Sequence, residues 1–228
     1  AVVTDAPRQG RTLPPWWAVL LVALAIAGIA FAIGRFSTFG AAQGVATPGN
    51  TSPEAGFARD MQIHHAQAVQ LSMDIYRTTQ NEDVRVLAYD IATGQSAQRG
   101  EFYDWLVKWN LPQRGDRPIM AWMAGTENAH GHAASGAATP TEAELLQQMG
   151  MATDAEIAAM QAETGTTADC TFLSLMSRHH QGAIPMAQAL IDLGSDRRAL
   201  QVAQGIVATQ SAAVDLMTSL REGLPCTP

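Results

Sequence analysis

An internal offset of 115 residues constrains this 228-residue chain more than any other feature it carries. Shifted by that amount, Phe57 falls on Phe172, Met61 on Met176, His64-His65 on His179-His180, and Ala68 on Ala183. The same shift, without a gap, carries Ala88 to Ala203, Ile91 to Ile206, and Gln95-Ser96-Ala97 to Gln210-Ser211-Ala212. Glu54 meets Asp169 and Asn81 meets Asp196, so the helix starts coincide as well. A repeat holding two helical segments is a duplicated helix hairpin. Two such hairpins bury their apolar faces by packing together, which predicts a four-helix bundle.

Helix punctuation agrees with that reading. Ser52-Pro53-Glu54 is a capping serine, a proline in the first turn and an acid, and it opens a helix to about Thr79. Asn81-Glu82-Asp83 opens a second, closed near Asn110 by the Leu111-Pro112 step. Thr139-Pro140-Thr141-Glu142 and Thr153-Asp154-Ala155-Glu156 each read as a cap before a short helix. Thr167 or Asp169 starts a long helix to about Leu193, and Ser195-Asp196 caps a last one to Arg221. No segment alternates in the manner of a strand, so the expectation is all-α, with the bundle over 53–222 and a tail over 223–228. The long connection, 112–167, opens with 28 residues rich in Gly, Pro, Ala and His. Those 28 residues exceed a minimal bundle loop and are expected to pack over one end.

Ahead of the bundle, residues 16–34 (WWAVLLVALAIAGIAFAIG) hold no charged side chain, and as a helix they extend about 28 Å. Pro14 and Pro15 precede them, and Trp16 and Trp17 suit an interfacial belt. A membrane anchor is favoured over a cleaved signal peptide, because the apolar run is long and no small-x-small cleavage site follows it. Arg8 and Arg11 in the flank 1–15, against Arg35 alone on the other side, place the N-terminus inside. Residues 35–52 read as a flexible tether, and everything beyond is expected outside the cytoplasmic membrane. Cys170 and Cys226 then lie in a disulfide-permissive compartment, at neighbouring ends of an antiparallel hairpin, and a bridge is preferred over a cysteine metal ligand.

The net charge is -7, and without Asp5, Arg8, Arg11 and Arg35 the remainder holds 11 basic and 20 acidic residues. Nucleic acid needs a basic footprint and is excluded as a partner; cations are compatible. All six histidines fall in three places: His64-His65, His179-His180, and His130-x-His132 in the connection. Met61 and Met176 stand three residues before the first histidine of each helical pair, so they share its face. Met186 follows further along in the second copy. Two duplicated pairs favour a metal site over core polar contacts, since imidazole is the commonest metal ligand. Taken alone, Met61 and Met176 read more readily as core filler.

A ferritin-like di-iron site needs Glu-x-x-His on two helices, and here those positions read Met-x-x-His. Imidazole with thioether favours copper, Cu(I) above all, with zinc on the four helical histidines as the alternative, or no metal at all. Met120, Met123, His130 and His132 form either a second copper-collecting segment or an ordinary loop packed on the bundle. Gln95 and Gln210 are candidates to hydrogen-bond the histidines, or to bridge helices. No nucleophile triad, phosphate loop or dinucleotide fingerprint is present, so nothing obliges an enzyme. Metal binding is expected to weaken as pH falls through about 6.5, where free histidine gains a proton.

The stretches FARDMQIHHAQAV, DCTFLSLMSRHHQGAIPMAQ, AYDIATGQSAQ, VAQGIVATQSA and GMATDAEIAAMQAETG resemble the bacterial family known as domain of unknown function 305, over roughly residues 53–222. The resemblance implies a ferritin-like helical bundle, export and, in some members, copper binding. It also implies His64, His65, Met61, His179, His180, Met176 and Met186 as candidate ligands. The chain departs from the family pattern, which has Glu three residues after the repeated Gln, by placing Gln98 and Ala213 there. The first copy reads HHAQA rather than HHQGA. Two functions follow as expectations: a membrane-tethered copper-sequestering or copper-transferring protein, or an accessory subunit of a membrane complex, such as a respiratory one, with structural histidine pairs.

Overall fold

The structure is a computed structural model that describes residues 47–124 and 140–226. Those residues form helices α1 (Pro53–Thr78), α2 (Glu82–Lys108), α3 (Glu142–Gln148), α4 (Asp154–Ala162), α5 (Gly165–Leu193) and α6 (Arg197–Gly223), with one 3₁₀ turn, Ala121–Met123. No strand occurs among them. Residues 16–34, the expected anchor, lie outside the described residues. Among the described helices none is long and apolar enough to cross a membrane.

The caps lie where the sequence places them. The Ser52 hydroxyl accepts from Ala55 N, the Asn81 amide oxygen from Val84 N, and the Asp196 carboxylate from Ala199 N. Thr141 and Thr153 form capping boxes with Glu144 and Glu156. The start of α5 differs: it lies at Gly165, earlier than Thr167 or Asp169, where glycine takes a φ of +59° and turns the chain from the extended Thr164 into the helix. Pro185 sits inside α5 without ending it. Its intrinsic cost of about 3 kcal/mol is overridden by buried packing along the helix, where Ala183, Met186, Ala187 and Leu190 flank it.

α1 pairs with α2 and α5 with α6, and the hairpins meet through α1 against α5. Glu54 fastens the second hairpin to the first: its carboxylate accepts from Ser195 N and Asp196 N in the α5–α6 turn. Cys170 and Cys226 are joined in a disulfide that staples the start of α5 to the chain beyond α6.

The core comes in two apolar halves. One gathers Phe57 and Met61 of α1, Phe102 and Leu106 of α2, Met186 and Leu190 of α5, and Ala203 and Ile206 of α6. The other gathers Leu71 and Ile75, Leu87 and Ile91, Phe172 and Met176, and Met217. Between them, on every long helix, the buried residues turn polar: His64, His65, Gln95, His179, His180 and Gln210. The duplication thus puts a polar waist across the middle of the core, between its two apolar halves.

The described residues of the 28-residue stretch pack on one core half, through Met120, Trp122 and Met123. The rest of the connection adds Leu145, Met149 and Met151 to that half and Ala152, Ile157 and Met160 to the other. It runs past the waist because it carries enough apolar side chains to seal both halves against water.

Candidate functional site

The waist is built by i, i+1 histidine pairs on α1 and α5. Such pairs splay about a hundred degrees apart around a helix, so each sends its two rings in different directions. His64 and His179 turn toward each other and stack, ring centroids 3.6 Å apart and tilted by 37°. His65 and His180 lie outward of that stack, 6.1 Å from His64 and 6.2 Å from His179 respectively. His65 also packs against the Phe102 ring at 5.4 Å. All four are buried.

Their hydrogen bonds set the tautomers. His64 Nε2 lies 3.0 Å from the carbonyl oxygen of Met149, and His179 Nε2 lies 3.0 Å from the carbonyl oxygen of His64. His65 Nε2 lies 2.7 Å from Oε1 of Gln98. Each partner is an oxygen that only accepts, so the three Nε2 atoms carry hydrogen and donate, leaving Nδ1 as a bare lone pair. Nδ1 of His64, His65, His179 and His180 is buried without any hydrogen-bond partner. A buried polar nitrogen left unpaired costs about 1–3 kcal/mol, so three bare acceptors and the unpartnered His180 Nδ1 in one layer ask for a further party. An N–H anchored to a carbonyl or amide oxygen, with the opposite nitrogen free, is how metal-ligating histidines are usually held.

Burial governs the protonation of these rings. Desolvation first, then the nearby His65, holds His64 down to about 3. Desolvation holds His65 and His180 at about 4, opposed by the Gln98 bond and the Met176 carbonyl respectively. Desolvation and its three histidine neighbours hold His179 well below its ordinary value. The expectation that protons begin to compete near pH 6.5 is therefore corrected: inside the fold these rings stay neutral to about pH 4.

The predicted residues divide as follows. The four helical histidines come together. Met61 and Met186 are fully buried in one core half and Met176 in the other, on opposite sides of the waist. Among the described residues, no three His, Cys, Asp or Glu side chains surround one point in a way that would hold a metal ion. His130 and His132 lie outside the described residues. Met120 and Met123 are buried in the core, and Trp122 Nε1 donates to the Asp60 carboxylate at 2.7 Å. Gln95 and Gln210 are buried but do not bond the histidines; their Oε1 atoms have no partner.

Two participants escaped sequence reasoning. Gln98 was visible only as a departure from a family pattern, and it turns out to be the side chain on His65. The Met149 carbonyl, 85 residues from His64, had no signal, because any residue supplies a carbonyl.

Comparison with known proteins follows the same lines. The sequence profile "Domain of unknown function (DUF305)" matches residues 54–221. A DUF305 protein from Streptomyces coelicolor, whose name includes the word secreted, is 35% identical with a TM-score of 0.64, over 75% of this chain and 93% of that one. A DUF305 fragment from Deinococcus radiodurans is 29% identical with a TM-score of 0.60, over 75% and 97%. A protein named CopM, described in its Cu(II)-bound form, is 21% identical with a TM-score of 0.54, over 75% and 97%; at that identity the likeness is one of fold. No protein of curated function matches this chain.

Proposed function

This chain belongs to the DUF305 family, and from that premise we propose that it is a metal-binding protein of ferritin-like four-helix-bundle form, which takes up copper at the histidine waist. It acts outside the cytoplasmic membrane, tethered by residues 16–34, and sequesters copper or passes it on. The observation that carries this reading is the set of three buried Nδ1 lone pairs without partners, on His64, His65 and His179, each on a ring anchored through Nε2, beside the equally unpartnered Nδ1 of His180. The name of CopM, bound to copper, points the same way.

The donor chemistry favours Cu(I). Zinc wants four ligands gathered tetrahedrally, and a di-iron site wants carboxylates. The waist supplies neutral imidazoles in pairs, with the thioethers of Met61, Met176 and Met186 on the same helices. Cu(I) is content with two or three soft donors. His130 and His132 are proposed as an additional collecting pair on the connection.

The test is Cu(I) titration of the full chain against a competing chelator, beside a variant with His64, His65, His179 and His180 all changed to Ala. Tight binding lost in a still-folded variant supports the waist as the site. Equal binding in both proteins rules it out. Binding is expected to hold at pH 5 and to fail as pH approaches about 4, where His65 and His180 take protons.

A second reading is an accessory subunit of a membrane complex, with the histidines as polar core contacts. It is favoured by an outward stripe on α2, where Val86, Tyr89, Tyr103 and Val107 are each just over half exposed. Purification from native membranes separates the two: a stoichiometric partner and no metal supports the second, a solitary copper-loaded chain the first.

A further inference from the structure

We infer that the backbone strap Met149–Ala152 is the positioning element of the histidine waist, seated on α5 by Gly182 and clamped to α1 by Gln67. The inference concerns the same site as the copper reading but stands on its own geometry.

The strap leaves α3 through backbone bonds from Gly150 N to Gln147 O and Met151 N to Leu146 O, then crosses the waist before α4. A Cβ on Gly182 would lie 1.9 Å from Met149 O, 2.2 Å from Met149 C and 2.7 Å from Gly150 N. All three are backbone atoms and cannot rotate away. Gly150 is the reciprocal half of the contact: its φ is +74°, and a Cβ there would lie 2.3 Å from Arg178 O. Two glycines thus let main chain lie directly on main chain. Met149 O is caught between the Gly182 backbone and His64 Nε2, which donates to it at 3.0 Å.

The duplication supplies the other end. Gln67 is the counterpart of Gly182 at the 115-residue offset. Its amide closes a two-bond ring with the strap, accepting from Ala152 N at 2.7 Å and donating to Ala152 O at 2.8 Å. One register position therefore holds the strap from both sides, by close approach on α5 and by paired hydrogen bonds on α1. His64 is the ring that needs this, because its acceptor comes from outside the two helices. His179 finds its acceptor on α1 itself. Through Met149 O, Gly182 and Gln67 keep His64 Nδ1 bare without touching it.

The experiment compares wild type, Gly182→Ala, Gln67→Leu and the control Gly205→Ala, where an added Cβ meets nothing within 4 Å. Nitrogen-15 NMR follows solvent exchange of the His64 Nε2 proton in metal-free full-length protein, and a chelator competition gives Cu(I) affinity. Gly182→Ala and Gln67→Leu are expected to exchange that proton at least tenfold faster and to bind Cu(I) about 10- to 100-fold more weakly, as loss of a partner behind a ligand does. Gly205→Ala should match wild type in both. Should Gly182→Ala fail to fold, Gln67→Leu, which removes the two bonds to Ala152 and leaves the glycine contact in place, decides. Unchanged proton exchange in the folded variants overturns the strap, whatever copper does. Faster exchange in a protein that binds no Cu(I) even as wild type leaves the strap standing and removes the copper reading.

Discussion

The two hairpins share their histidines and differ in almost everything that touches them. His65 has Gln98 as partner; the corresponding residue beside His180 is Ala213, which offers nothing. Gln67 clamps the strap where Gly182 makes room for it. Glu54 binds the α5–α6 turn, whereas the Oδ1 of its counterpart Asp169 is buried without a partner. Outward on α2 stand Val86, Tyr89, Tyr103 and Val107, and the same stations on α6 hold Gln201, Gln204, Thr218 and Glu222. Only the second hairpin is stapled; Ala55 stands where Cys170 would be matched. The rings that meet at the centre face each other across the pseudo-symmetry, so a change in one disturbs both copies. Residues around them meet a strap that has no duplicate, and were free to diverge.

Acid should strike both halves at once, and it carries the largest expected effect. Unfolded histidines take protons near pH 6.5, while the folded rings do not until about 4 or below, so the unfolded state binds more protons throughout that window. Stability is full above 6.5 and is lost as pH falls toward 4, by up to roughly 3 kcal/mol per histidine. Asp60 runs the other way: burial raises it to about 6, so folding gains a proton there and offsets about one histidine. Urea denaturation across pH 4–7 should show a steep net fall. A flat profile would mean water reaches the rings.

The staple distinguishes the halves. Opening Cys170–Cys226, which closes a 56-residue separation, should cost about 2–4 kcal/mol. Amide exchange should rise at the start of α5 and the end of α6, while the α1–α2 turn is spared.

Finer still is the contrast between the outer histidines. His65→Ala leaves Gln98 Oε1 without its donor, whereas His180→Ala breaks no side-chain bond. The first should therefore cost about 1 kcal/mol more than the second in matched denaturation curves. Equal costs would erase the asymmetry assigned to Gln98.

Smallest of all, giving α2 its α6 counterparts (Val86→Gln, Tyr89→Gln, Tyr103→Thr, Val107→Glu) should move monomer stability by within about 0.5 kcal/mol per site. A larger loss would mean that the stripe is part of the fold rather than a surface.

The sequence by itself determined the duplication, the helix spans, the caps, the cysteine pairing and the placement of a histidine pair on the first helix of each hairpin. Those properties are written within a few turns of helix, in periodicity, cap chemistry and an offset that any reader of the chain can slide. What only the tertiary structure decided was which atom of each ring is free. That rests on Met149 O, the His64 carbonyl and Gln98, at separations of 85, 115 and 33 residues. Two of the three are backbone carbonyls, which every residue has, so no side-chain pattern announces them. The His64 carbonyl meets His179 only through the packing of α1 on α5, and Met149 O arrives with the strap, seated by the missing Cβ at Gly182: a close approach of main chain to main chain that exists only once α1, α5 and the connection are packed together.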